Sequence, residues 1–172
     1  MPLPSPAAPF DAWPVQVADE AAALHAWFVP PATVVFQYHR QRFGLAEAKT
    51  MVALIDGVRD AHRAAIVANG GLVMIHDLRQ VTELTWEAQR ALRDAWPRLP
   101  AAEARASVLV GLRLNVFLLS VIHAISAAAR LFTGIELTLV SDFEACAQRF
   151  PLATPAPSVQ FPQAQERPRS SA

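Results

Sequence analysis

The chain has 172 residues, of which 53% are hydrophobic and 17% are charged, a composition that supports one folded domain with a sizeable core and argues against global disorder. Lys and Arg together number 15, as do Asp and Glu, and this balance argues against a broad nucleic-acid-binding face, which normally needs a basic excess. The single cysteine, Cys146, excludes an intramolecular disulfide and any multi-cysteine metal site.

Proline and small polar residues are concentrated at the two ends of the chain. Residues 1–19 are predicted to be a flexible arm, residues 20–150 a folded domain, and residues 151–172 a disordered tail rich in Pro and Ser. The first residues lack the basic side chains of a secretory signal. No apolar run reaches about 18 residues, which argues against a membrane span and favours a cytoplasmic location.

Between the two ends, strand patterns alternate with helix patterns. The predicted strands are residues 24–29, 33–40, 71–77, 106–113 and 135–141. The predicted helices are residues 45–71, 85–96, 115–134 and 142–150. This alternation predicts an α/β fold in which a four- to five-stranded, mostly parallel sheet is flanked by helices.

The helix beginnings and their inward faces can also be predicted. Thr85 and Asp142 are expected to cap their helices, because short polar side chains accept hydrogen bonds from the first free amides. Leu45 begins the apolar stripe of the helix over residues 45–71. Four residues of the next helix stand at inward spacing: Trp86, Ala88, Leu92 and Trp96.

Two segments carry a resemblance to a known family. The strand-to-turn segment VMIHDLRQVT (73–82) and the ending GIELTLVSDFEACAQRF (134–150), together with the order of elements, resemble the STAS-like domains of bacterial anti-sigma-factor antagonists and their sporulation-antagonist-like relatives. The resemblance covers roughly residues 20–150. The alternating pattern itself predicts a covered sheet, in which residues 71–77 and 135–140 are expected to lie side by side.

The family's phosphorylation switch is not carried over to this sequence. In such antagonists a segment like DLSxVxxxDSSG bears the phosphorylated serine, whereas this chain has DLRQVTELTWEA, with Thr85 at the position of the Asp and Trp86 at that of the Ser. The resemblance therefore implies only the location, a strand–helix junction that docks a protein partner. Six residues form the expected docking surface: Leu78, Arg79, Val81, Thr82, Thr85 and Trp86.

Catalytic chemistry is not predicted at this junction. His76 stands beside Asp77, but adjacent strand residues point to opposite faces, so the two side chains do not readily pair. The segment offers no nucleophile and no GxSxG elbow. An enzyme would need His39, His76 and Asp77 to converge in a cleft. No HExxH pattern occurs, and neither a metal nor a cofactor is predicted.

The segment 114–132 is unusually apolar for a helix of a small domain. Between Arg113 and Arg130 its only titratable side chain is His123, so it is expected to face a partner or line a pocket. The residues expected to do so are Phe117, Leu118, Val121, Ile122 and Ile125.

Two functions are consistent with these features. The first is a non-enzymatic, STAS-like regulatory or protein-interaction module, which acts through the strand–helix junction and the apolar helix. Its partner is an unidentified protein or a second copy of the chain. The alternative is a carrier or sensor of an apolar small molecule or lipid, held between the apolar helix and the sheet.

Overall fold

The computed structural model describes residues 8–95, 100, 102–111 and 134–153. The strands are β1 (Val17–Asp19), β2 (Leu24–Val29), β3 (Thr33–Tyr38), β4 (Arg42–Phe43), β5 (Leu72–Asp77), β6 (Glu83–Leu84), β7 (Ala104–Val110) and β8 (Glu136–Val140). The helices are α1 (Leu45–Ala68), α2 (Trp86–Ala95) and α3 (Phe143–Arg149), preceded by a short 3-10 helix (Pro9–Ala12).

The main sheet is mostly parallel, with helices on both faces. Its order is β1-β2-β3-β5-β7-β8, in which β1, β2 and β3 pair antiparallel and the remaining neighbours pair parallel. The α/β class predicted from the alternating pattern is therefore confirmed. The expected number of strands was too low, since the sheet has six strands in the described residues. The additional strand is β1, whose three residues are too short to show an alternating pattern.

The described part of the expected flexible arm is packed against the sheet, which corrects that prediction for residues 8–19. Phe10 is 1% exposed, and its ring lies 5.3 Å from that of Trp27 and 4.7 Å from that of Phe143. The Trp27 indole N–H donates to the carbonyl of Pro14 at 3.1 Å. The prolines break regular structure locally, but burial of these aromatic rings fixes the segment in place.

The expectation that residues 71–77 and 135–140 lie side by side is wrong, because β7 lies between β5 and β8. In the main sheet, β3, β5, β7 and β8 lie beside one another in the same order in which they occur along the chain. The burial pattern agrees with this arrangement. Every residue of β5 is buried, as suits a central strand, whereas all five residues of β8 are half-buried, as suits an edge.

Alternation along the strands divides the core between the two faces of the sheet. Phe36 and Met74 face α1 and α2, whereas Val35 and Ile75 face the 3-10 helix and α3. Successive side chains of a strand point to opposite faces, so a strand covered on both sides reads as an uninterrupted apolar run. This coverage explains the segment LVMI at the start of β5.

The helices differ in detail from their predicted extents and faces. Leu45 is 39% exposed and Trp86 is 68% exposed, so the inward positions expected for both are wrong, whereas Ala88 is buried as expected. Trp96 and the predicted helix over residues 115–134 lie outside the described residues. Among the described helices, none combines the length and the apolar character that crossing a membrane requires.

Candidate functional site

A small second sheet places the beginnings of α1 and α2 side by side. After β3 the chain continues into β4, and after β5 into β6; these two short strands pair parallel, with Arg42 opposite Glu83 and Phe43 opposite Leu84. The main-chain N–H of Thr82 donates to the carbonyl of Gln41 at 2.8 Å and joins the two connections. Both helices begin two residues after their strands, so their first turns are neighbours.

Each helix beginning is capped by the chain itself. The Thr85 hydroxyl accepts from the N–H of Ala88 at 3.2 Å, which confirms the predicted cap of α2. At α1, the Glu47 carboxylate reaches back and accepts from the N–H of Gly44 at 2.9 Å. The caps hold the first turns in place, and the first residue of each helix, Leu45 or Trp86, points into solvent.

The structure buries half of the six residues expected to dock a partner. Leu78, Val81 and Thr85 are 9%, 3% and 8% exposed, so they belong to the core and cannot contact a partner in this conformation. Leu78 and Val81 instead pack in the core cluster that includes Ala88 of α2, and the Thr85 hydroxyl caps that helix. Thr82 and Trp86 are exposed, as the prediction requires.

Arg79, the sixth expected docking residue, is held by Asp77. Its Nε and one terminal nitrogen donate to the two Asp77 oxygens at 2.9 and 2.8 Å, and its main-chain N–H donates to Oδ1 at 3.2 Å. Asp77 is 3% exposed, and its hydrogen bonds with Arg79 raise the pKa of the guanidinium. The guanidinium also lies 5.0 Å from the centre of the Phe143 ring. Asp77 thus organises the turn.

Gly111 leaves room for this ion pair. It follows β7 with φ of +68°, and a Cβ at this position would lie 2.4 Å from Cγ of Arg79. Glycine is therefore required here both by the left-handed backbone and by the close approach of the arginine stem. The end of β7 and the turn after β5 are fitted to each other.

His76 lies on the opposite face of the sheet from Asp77. Its Nδ1 is 3.0 Å from the Tyr38 hydroxyl, and the two residues are 6% and 2% exposed. Burial lowers the pKa of His76 to about 4, so the ring is neutral near pH 7. Burial, reinforced by the charge of Glu47, raises the pKa of Tyr38. His76 and Asp77 do not face a common cleft.

The remaining titratable groups of interest are His25, His39 and Cys146. His25 and His39 have rings 4.3 Å apart, and burial followed by repulsion from His25 lowers the pKa of His39. Cys146 is fully buried, and burial raises the pKa of its thiol to about 11. Across the described residues, no three His, Cys, Asp or Glu side chains are arranged to hold a metal ion.

A shallow groove of about 270 Å³ lies between α1 and α2. It is lined by Ala48, Lys49, Val52, Ala53, Asp56, Ala91, Asp94 and Ala95. Three of these side chains are ionisable, so the groove is not a purely apolar pocket. The five residues expected to line an apolar pocket or interface, Phe117, Leu118, Val121, Ile122 and Ile125, lie outside the described residues.

Comparison of the chain with family models, with curated proteins and with solved structures found no match. The class that the structure itself defines is an α/β protein with a mostly parallel sheet.

Leu45 was predicted to face inward, but it is exposed at the beginning of α1, as Trp86 is at the beginning of α2. A signal for it is present, since Gly44 and Glu47 are spaced as a helix cap and Leu45 follows directly, as Trp86 follows Thr85. What the sequence does not reveal is the pairing of β4 with β6, which makes these two positions neighbours.

Proposed function

We propose that this chain is a non-enzymatic, STAS-like interaction module whose docking surface consists of Trp86, Leu45 and Thr82, here named the Trp86 surface. The observation that carries the proposal is the 68% exposure of Trp86 on a capped helix beginning. Water contact of so large an apolar ring is unfavourable, and buried tryptophans are among the strongest anchors of protein interfaces.

The structure beneath the Trp86 surface holds it in one position, which favours binding by a preformed site. Strands β4 and β6, the ion pair between Arg42 and Glu83 at 3.2 Å and the cap by Thr85 fix the positions from which Trp86 and Leu45 project. A rigid anchor loses little conformational entropy when it is bound. The partner that fits is a protein with an apolar pocket for the indole and a charged rim that complements Arg42, Glu83 and the exposed Glu87.

The two candidate catalytic side chains are buried and bonded to other residues of the chain, which supports a non-enzymatic function. Asp77 is neutralised by Arg79, and His76 is buried against Tyr38 on the other face of the sheet. A general base must reach the proton it abstracts, and neither group is accessible for this task.

The alternative function, a carrier or sensor of an apolar small molecule or lipid, depends on residues 114–132, which lie outside the described residues. The described groove between α1 and α2 is lined in part by Lys49, Asp56 and Asp94, a lining that does not favour an apolar ligand. The protein-interaction function is therefore the better supported of the two.

Site-specific photo-crosslinking in cells of the organism that makes this protein tests the proposal. A photoreactive phenylalanine analogue replaces Trp86 in one variant and Val67 in a matched control, because Val67 is also apolar and 46% exposed but lies near the opposite end of α1. We expect a discrete crosslinked protein from position 86 and none from position 67. No product at either position, or the same products at both, would contradict the Trp86 surface.

A further inference from the structure

Two histidines from neighbouring strands, His25 and His39, have their side chains on one face of the sheet. His25 lies in β2 opposite Gln37 of β3, and His39 directly follows β3, where its main-chain N–H donates to the carbonyl of Ala23 at 2.9 Å. Residues two apart along a strand share a face, so the two histidines are diagonal neighbours. Their ring centres are 4.3 Å apart. Only the pairing of the strands reveals this proximity, because no short motif contains both residues.

The two imidazoles are accessible and have nitrogen atoms to offer. His25 is half-buried and His39 is exposed. The rings contact each other, and Trp27 lies 6.0 Å from His25, but within the described part of the chain neither imidazole forms a side-chain hydrogen bond. A neutral imidazole has one nitrogen with a lone pair, and this nitrogen can bind a metal ion.

The charges around the pair favour a bound cation. Burial, followed by repulsion from His25, lowers the pKa of His39, so His39 is neutral near pH 7 and its lone pair is free. The carboxylates of Asp77 and Asp11 act on this pKa in the opposite direction, which means that both are close enough to attract positive charge. Arg79 pairs with both carboxylates and balances one of their two charges, so these three side chains together remain negative.

We propose that His25 and His39 together bind a divalent transition-metal ion of the Zn²⁺, Cu²⁺ or Ni²⁺ class. Imidazole nitrogen suits these ions, whereas Mg²⁺ and Ca²⁺ prefer oxygen ligands. In a zinc complex a nitrogen of each ring lies about 2.0–2.1 Å from the ion, and the edge-to-face rings turn about their side-chain bonds to reach this geometry. Water completes the coordination, since the described residues place no group of three His, Cys, Asp or Glu side chains around an ion.

A metal ion at this position would fasten β2 to the residue that follows β3. The two ligands come from strands that are joined by main-chain hydrogen bonds, so the ion adds a side-chain link between them. An ion that binds the folded chain and not the unfolded chain stabilises the fold by mass action. We therefore expect Zn²⁺ to raise the Tm of the wild type and to leave the Tm of His25→Gln and of His39→Gln unchanged.

Isothermal titration calorimetry of the untagged, full-length chain with Zn²⁺ tests the site. We expect the wild type to bind a single Zn²⁺ and binding to be lost in His25→Gln and in His39→Gln, while circular dichroism shows that both variants are folded. His62→Gln is the matched control, because His62 is also half-buried but stacks on Phe28 on the other face of the sheet, and it should bind as the wild type does. Mg²⁺ should not bind. A wild type that takes up no Zn²⁺, binding that survives both substitutions, or equal binding of Mg²⁺ would overturn the proposal.

Nuclear magnetic resonance of the imidazoles in the wild type supplies a second test, which needs no substitution in the titrated protein. We expect the ring signals of His25 and His39 to shift together as Zn²⁺ is added, and those of His62 to stay unchanged. A shift confined to one ring of the pair, or a shift of His62 alone, would show that the two histidines do not share an ion. Neither test depends on the Trp86 surface.

Discussion

His76 shows how the backbone decides the role of a residue that looks catalytic in the sequence. The prediction that His76 and Asp77 point to opposite faces could be made because strand side chains alternate. Their partners could not be predicted. Arg79 is only two residues from Asp77, whereas Tyr38 is 38 residues from His76. Only the pairing of β3 with β5 brings the Tyr38 hydroxyl to the imidazole.

Burial of His76 makes the stability of the fold depend on pH. Its pKa in the folded state, about 4, is below the ordinary value of 6.5, so the unfolded chain binds the proton more readily. The stability that the neutral, buried His76 contributes to the fold is complete above pH 6.5 and is lost as the pH falls from 6.5 toward 4. We expect the free energy of unfolding to decrease over this range by on the order of 3 kcal/mol.

Urea unfolding of the wild type and of His76→Gln across this pH range measures the effect. The substituted protein should show a clearly flatter pH dependence, whatever its absolute stability. His39→Gln is measured alongside, because the lowered pKa of His39 adds a pH dependence of stability with the same sign. Its slope separates the contribution of His39 from that of His76. Equal slopes for the wild type and His76→Gln would show that His76 is not the group that titrates.

At the scale of elements, most helices and strands could be predicted, but their neighbours could not. Periodicity locates α1, because burial on one face imposes a repeat on the sequence, and an uninterrupted apolar run locates β5, because that strand is covered on both faces. It contains no information about which apolar strand lies next to which, and this is why β7 was not expected between β5 and β8. The pairing of β4 with β6 is invisible for a similar reason, since two residues cannot show a repeat.

The fit between the end of β7 and the turn after β5 gives a prediction about Gly111. In Gly111→Ala, the left-handed backbone should cost about 1–2 kcal/mol. Contact of the new Cβ with the stem of Arg79 should add a further ~1–3 kcal/mol. The matched control is Gly70→Ala, where φ is +76° and no atom lies within 4 Å of the added Cβ. Thermal or urea unfolding should show the larger loss at Gly111.

Equal losses for the two alanine variants would contradict the tight fit at Gly111. They would show that Arg79 moves aside at no measurable cost and that its ion pair with Asp77 does not hold the turn.

At the scale of the whole molecule, the sheet acts as a rigid support with different features at its ends and edges. Side chains of the core fill both faces, and the ion pair of Arg79 with Asp77 closes one end. Trp86 projects from a capped helix beginning, and β8 is the last strand of the sheet in the described residues. The resemblance to the antagonist motif predicted a docking surface around Trp86, but the six residues that it named include Leu78 and Val81, which are buried in the core.

The affinity of the chain for the partner captured at position 86 shows whether Trp86 anchors the docking contact. Trp86→Ala and the control Val67→Ala both remove an exposed apolar side chain and should leave stability within about 0.5 kcal/mol of the wild type. If Trp86 is the anchor, its replacement should weaken the Kd roughly thirtyfold or more, as expected for the loss of at least about 2 kcal/mol, and the control should leave the Kd unchanged. Unaltered binding by Trp86→Ala, or equal weakening by both variants, would show that Trp86 is not the anchor.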